Sequence, residues 1–151
     1  TKREVGNWLQ KIRMQGGTVM IIAVDFDGTL CIENYPNIGE ANTELINTLI
    51  ARRQAGDKVI LWTCREETLL KNAVDWCKQF GFTFDAIGRN PTQDEWCGED
   101  VYKVYSILDI DDRNAGVFLK GEEVDGRGWV DWNKIDEIYT PKIMKWLNII
   151  E

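Results

Sequence analysis

The chain contains no histidine. That absence removes Ser-His and Cys-His nucleophile pairs, His-containing zinc sites and imidazole acid–base chemistry together. Catalysis near neutral pH would have to come from carboxylates, Lys, Tyr, Cys or a metal ion. The four cysteines, Cys31, Cys64, Cys77 and Cys97, form no C-x-x-C pair, which argues against zinc ribbons and thioredoxin-type redox centres. No stretch reads as a signal peptide, so reduced thiols in a cytoplasmic protein are expected. No apolar run approaches the length of a membrane span. Nor does any segment concentrate Lys and Arg: 25 acidic residues face 18 basic ones, for a net charge of −7. Binding to a phosphate backbone needs clustered cations, so nucleic acid is a disfavoured partner. A small phosphorylated ligand remains compatible with this balance.

What is present is enough for one core. A length of 151 residues suits a single domain, and a hydrophobic share of 44% with seven tryptophans argues against disorder. Residues 1–17 form a polar lead with Trp8, Leu9, Ile12 and Met14 at roughly helical spacing, either a docking helix or an appended leader, stopped by Gly16-Gly17. The remaining domain, 18–151, alternates strand and helix patterns.

Thr18 to Val24 is apolar and β-branched, as in a strand buried on both faces of a parallel sheet. It runs into Asp25-Phe26-Asp27-Gly28-Thr29. The spacing of Asp25 and Asp27 sets both carboxylates on one side of the strand end. Two like charges there are costly unless a cation lies between them or one is protonated. The plainer reading is a capped turn with two solvated aspartates.

Residues 40–54 place Ala41, Leu45, Ile46, Leu49 and Ile50 on one helical face and Asn42, Asn47, Arg52 and Arg53 on the other. Lys58 to Thr63 reads as a second buried strand, 66–80 as a second helix, Phe82 to Ile87 as a third strand and Val104 to Ile110 as a fourth. The stretch from Gly116 to Gly128 reads as an exposed loop, and Trp129 to Leu147 as helical but broken by Pro141. This alternation predicts an α/β fold with a single Rossmann-like, doubly wound parallel sheet.

In such a sheet the carboxyl ends of all strands share one edge. Reading along it gives Asp25 and Asp27, then Thr63 with Arg65, then Asp111 and Asp112, with Lys103 opening the segment into the fourth strand. Oxygen donors at two strand ends suit a hard cation, and Mg²⁺ typically takes one or two carboxylates plus waters and a substrate phosphate.

Asp25 to Thr29, the strand Val59 to Thr63, Lys103 and Asp111-Asp112 resemble the four successive motifs of the haloacid-dehalogenase-like (HAD) superfamily, from about Thr18 to Tyr139. The finer pattern is similar to a small bacterial and phage branch of polysaccharide-biosynthesis-type HAD phosphatases. Its features are Tyr35, Pro36, Ile38 and Gly39 after the first strand, Leu61 to Glu66 ending the second, and Ile110 to Asn114 ending the fourth.

The resemblance implies that Asp25 is a nucleophile forming an aspartyl-phosphate, and that Asp27 protonates the leaving oxygen and then activates water. It implies that Thr63 hydrogen-bonds the phosphoryl group and that Lys103 neutralises it. The same resemblance implies that Mg²⁺ is held by Asp25 and, directly, by Asp111, with Asp112 supporting it and the backbone carbonyl of Asp27 completing the protein ligands. A dehalogenase needs no acid at Asp27, so phosphomonoester hydrolysis is favoured, on a small substrate such as a sugar phosphate or nucleotide. The alternatives are a phosphatase for a polynucleotide end or a phosphoprotein, and a non-catalytic binding module.

The gaps from Asp27 to Thr63 and from Thr63 to Lys103 leave no room for a cap domain. Capless relatives accept large substrates or borrow a lid from a neighbouring subunit, so a homo-oligomer supplying a lid is among the implied partners. Leu30 to Ile38 could act as a flap, with Cys31, Glu33 and Tyr35 as candidates to touch substrate, Glu33 equally an ordinary solvated acid. Arg65 and Arg113 are candidates for a second anionic group, or else pair with Glu66 or Glu67 and with Asp111 or Asp112. Cys64 is expected to pack, and Trp62, Trp76 and Trp146 to serve core or interface.

Overall fold

The computed structural model describes residues 20–90, 103–104, 106–122 and 126–146. The lead of residues 1–17, Thr18 and Cys97 lie outside these. The chain forms an α/β fold whose main sheet holds four parallel strands in the order β3-β2-β1-β4. These are β1 (Ile21–Val24), β2 (Lys58–Leu61), β3 (Ala86–Ile87) and β4 (Leu108–Ile110). Between them run α1 (Thr43–Gln54) and α2 (Glu67–Lys78), and α3 (Trp132–Trp146) follows the sheet. None of the described helices is long and apolar enough to cross a membrane.

Strand alternation divides the core. Ile22 and Val24 of β1, Val59 and Leu61 of β2 and Ile110 of β4 join the larger cluster with Leu45, Ile46 and Leu49 of α1, Ala73 and Cys77 of α2, and Trp132 and Ile135 of α3. Ala23 and Ile60 face the other way and pack with Val104. The central strands are buried on both sides, which is why β1 and β2 read as continuous apolar runs rather than alternating ones.

The third and fourth strands are shorter than expected. Phe82 is taken by the end of α2, its N–H bonding to Cys77 O at 3.1 Å, so regular pairing waits until Ala86. The fourth strand pairs with β1 only from Leu108. The polar face assigned to α1 also needs correction: Asn42 is 5% exposed and Arg52 1%. Arg52 lies with its guanidinium 5.7 Å from the Trp132 ring, where burial holds its pKa below the ordinary value against the opposing pull of Asp57 and Asp136.

Two further expectations change. Pro141 sits inside α3 without breaking it. Proline removes one helical hydrogen bond, but Glu137 and Pro141 are both exposed, so solvent can satisfy the freed carbonyl. The stretch expected as an exposed loop carries half of an antiparallel ribbon, β5 (Leu119–Lys120) against β6 (Trp129–Val130). Gly121 is required there, because a Cβ at this position would lie 1.9 Å from the Trp129 ring. The ribbon is tied to the first strand's turn: Val130 N donates to Gly28 O at 3.1 Å, and Asn42 Nδ2 donates to both Thr29 O and Val130 O.

Candidate functional site

The ladder continues one residue beyond the regular strands. Asp25 N donates to Ile110 O at 2.9 Å, Trp62 N to Val24 O at 2.8 Å and Gly88 N to Leu61 O at 2.9 Å. Asp25 therefore stands in register between Trp62 and Asp111. Asp25, Asp111 and Asp112 each bring a carboxylate oxygen within 4.8 Å of the others.

Thr29 holds this cluster from below. Its hydroxyl donates to Asp25 Oδ2 at 3.3 Å and accepts from Asp112 N at 3.1 Å, so one buried side chain joins the loops after β1 and β4. Gly28, at φ +75°, completes the arrangement: a Cβ here would lie 2.5 Å from Asp112 Oδ2. A glycine at this position is thus needed both for the turn and for the close approach of the second loop.

Burial, then the charges of Asp111 and Asp112, push the Asp25 carboxyl up to about 8, against the lowering effect of the Phe26 N–H. Burial and Asp111 likewise raise Asp112. Asp112 Oδ1 is buried without a hydrogen-bond partner among the described residues. Three crowded carboxylates, one with an orphaned oxygen, form a donor set that fits a hard divalent cation, since such an ion replaces repulsion with coordination.

Asp27 lies apart from this cluster. Its carboxylate accepts two hydrogen bonds from Arg65, Nε to Oδ2 at 2.8 Å and Nη2 to Oδ1 at 2.7 Å. Arg65 also donates to Pro36 O at 3.1 Å and Asn37 O at 2.8 Å, and its guanidinium lies 4.9 Å from the Phe26 ring and 5.3 Å from Tyr35. The hydrogen bond to Asp27 holds its pKa above the ordinary value. The guanidinium is thus engaged by Asp27 and the flap, rather than by Glu66, Glu67 or an open crevice.

Asp25, Asp111, Lys103 and Trp62 line one cleft of about 170 Å³, bordered by Val104 and Asn114. Lys103 is exposed. Thr63 is half-buried, its hydroxyl accepting from Arg65 N at 3.2 Å. Arg113 is exposed, and its backbone N–H donates to Asp111 Oδ1 at 2.8 Å. Its guanidinium lowers the Asp112 pKa by charge, against the rise.

In the flap, Cys31 is fully buried, its thiol pushed up to about 12 by burial, and so offers no surface to a ligand. Glu33 pairs with Arg127 at 2.9 Å, and Tyr35 is 57% exposed. Cys64 is exposed rather than packed. Trp76 packs edge-on against Phe26 at 5.5 Å, and Trp62 is 42% exposed, which excludes the core and leaves the interface alternative open; the Trp146 side chain lies outside the described residues.

No protein-family model and no curated protein matches the sequence. A solved structure does, described as that of a conserved protein coded by a locus of Bacteroides thetaiotaomicron. It shares 36% identity over 83% of this chain and 93% of that one, with a TM-score of 0.64. The chain belongs to the same family as that protein. The family likeness covers the domain broadly rather than a single motif, and it supports the α/β architecture; the chemistry rests on the site's own geometry.

Two residues of the site escaped the sequence reading. Thr29 was visible as a hydroxyl, but its bridging role needs the β4 loop beside it. Trp62 precedes Thr63 and reads as apolar strand, yet counting one step past the paired strand ends would have aligned it with Asp25.

Proposed function

We propose that the protein is a Mg²⁺-dependent phosphomonoesterase of the HAD type, hydrolysing a small phosphorylated molecule through an aspartyl-phosphate on Asp25. The observation that carries this reading is the cluster of Asp25, Asp111 and Asp112 at the carboxyl edge, with its orphaned Asp112 oxygen. The reading includes a doubly wound sheet without a cap domain. It is supported by the strand order, in which β2 and β3 lie to one side of β1 and β4 to the other, and by the span from Asp27 to Thr63, filled by flap, α1 and β2.

Asp25, Asp111 and Asp112 would hold the ion, with the Asp27 carbonyl. Bound there, Mg²⁺ cancels repulsion between the phosphoryl oxygens and the carboxylates. Thr29 orients Asp25 through its hydroxyl. The Asp25 oxygen forms a bond to phosphorus as the ester P–O bond breaks, and Asp27 gives a proton to the departing oxygen. Water then attacks the aspartyl-phosphate, Asp27 takes its proton, and Asp25 is released with free phosphate. Lys103 offers positive charge at the cleft wall, and Thr63 a hydroxyl.

Arg65 grips both oxygens of the Asp27 carboxylate. Donating a proton therefore requires that pair to loosen when substrate binds, whereas accepting one from water uses the carboxylate as held. Phosphate release from a panel of esters tests the reading. Release should require Mg²⁺ and vanish with chelator. Asp27→Asn should slow esters with poor leaving groups at least about 100-fold while sparing activated aryl esters more. Equal losses on both would remove Asp27 from the acid role.

A further inference from the structure

The strand ends set four residues of one sheet face in a row: Gly88, Trp62, Asp25 and Asp111. The row follows from the register pairs Leu61–Ile87, Val24–Leu61 and Val24–Ile110, each extended one residue by the hydrogen bonds already described. Neighbouring strands present in-register residues to the same face, and Trp62, Asp25 and Asp111 do line the same cleft. One end of the row is thus anionic and built for the phosphoryl group. The other end is an exposed indole beside a glycine, around whose missing side chain there is open space.

The Trp62 indole, 42% exposed, stands on the wall of the cleft that Asp25 and Asp111 also line. Among the described residues, the core clusters on the two sheet faces do not include Trp62. The cleft of about 170 Å³ runs continuously from these carboxylates to Trp62. An ester anchored by its phosphate on Asp25 has its organic part directed over the neighbouring position, because Asp111 and Asp112 occupy the other side.

We infer that Trp62 is a stacking platform for a ring in the substrate's leaving group, either a nucleobase or the flat face of a sugar, lying between the phosphoryl site and Gly88. This rests on the phosphoryl-transfer reading of Asp25, and it assigns the substrate class: ring-bearing phosphomonoesters over open-chain ones. Aromatic stacking of this kind is sequence- and substituent-tolerant, so it selects for a ring before it selects for a particular ring.

The test compares a nucleoside 5′-monophosphate, a hexose 6-phosphate and open-chain glycerol 3-phosphate, with Mg²⁺, on wild type, Trp62→Ala and Trp62→Phe. The expected result is that the ratio of kcat/KM for a ring ester to that for glycerol 3-phosphate falls about tenfold in Trp62→Ala and recovers largely in Trp62→Phe. Loss with the nucleotide alone identifies a base; loss with the hexose ester identifies a sugar.

An equilibrium readout separates this inference from the catalytic one. The indole N–H resonance that disappears in Trp62→Phe reports the site, and it should shift with a ring ester but not with inorganic phosphate. A shift without phosphate release would keep the platform and refute the phosphatase. Release with an unshifted resonance, or with a ratio that Trp62→Ala does not change, would overturn the platform. Should Trp62→Ala fail to fold, Trp62→Leu takes its place, with the same fall of about tenfold in the ratio expected and an unchanged ratio overturning the platform.

Discussion

Asp25 concentrates the electrostatic cost of the site in one side chain. With its carboxyl raised from an ordinary 3.8 to about 8 by burial and by two neighbouring acids, the metal-free native state keeps a proton that the unfolded chain releases. Between about pH 4 and 8 the native state therefore binds more protons, and stability falls as pH rises through that window. Below it the contribution is fully present; above it the contribution is lost. Metal-free wild type should melt lower at pH 8 than at pH 5.5, by the equivalent of a few kcal/mol at most. Asp25→Asn should flatten that slope, and thermal melts across pH check it. Gly28 gives a second prediction at this scale. Gly28→Ala adds left-handed strain of about 1–2 kcal/mol and drives a methyl into Asp112. It should lower the melting temperature and raise the Mg²⁺ concentration for half-maximal activity about tenfold or more; an unchanged Mg²⁺ requirement would contradict the Gly28–Asp112 contact.

At the scale of elements, the flap is held down by Arg65. Its side chain is 1% exposed and Asp27's 16%, so this ion pair is largely desolvated. Breaking such a pair by removing one partner costs about 3–5 kcal/mol, because the remaining charge is left buried. Arg65→Ala should destabilise by about 3 kcal/mol and open 31–39 to proteolysis, measured by denaturant unfolding and limited digestion. Arg65→Lys should recover only part, since a point charge cannot reproduce the two-pronged grip.

Much of the element order was legible from apolar runs and helical periodicity, because β1, β2, α1 and α2 each bury a continuous set of side chains. The ribbon of β5 and β6 was not, since two-residue strands among glycines and charges carry no periodicity. The burial of Arg52 was hidden for another reason: its place is decided by Trp132, eighty residues on, which helical spacing within α1 cannot register. At the site, Asp25, Asp111 and Asp112 were readable from their strand ends. The pairing of Asp27 with Arg65 was not, because it depends on how the flap folds over.

For the whole molecule, a cation held only by the native state stabilises folding by mass action, about 2.7 kcal/mol at a concentration 100 times the dissociation constant. Melting temperature should climb with Mg²⁺ in wild type. In Asp111→Ala the metal-free protein should be as stable or more so, because a repelling charge has gone, and the gain from Mg²⁺ should shrink. A variant that melts lower without metal yet gains as much from Mg²⁺ would make Asp111 a structural acid.

The proposed mechanism requires Asp25 to take the phosphoryl group onto its own carboxylate. Acid quenching during turnover of a radiolabelled phosphate ester with Mg²⁺, followed by peptide mapping, addresses it directly. Acid-stable label is expected on the peptide containing Asp25 in wild type and none in Asp25→Asn, whose turnover should fall at least about 1,000-fold. Wild-type turnover by Asp25→Asn, or label mapping to another residue, would contradict it.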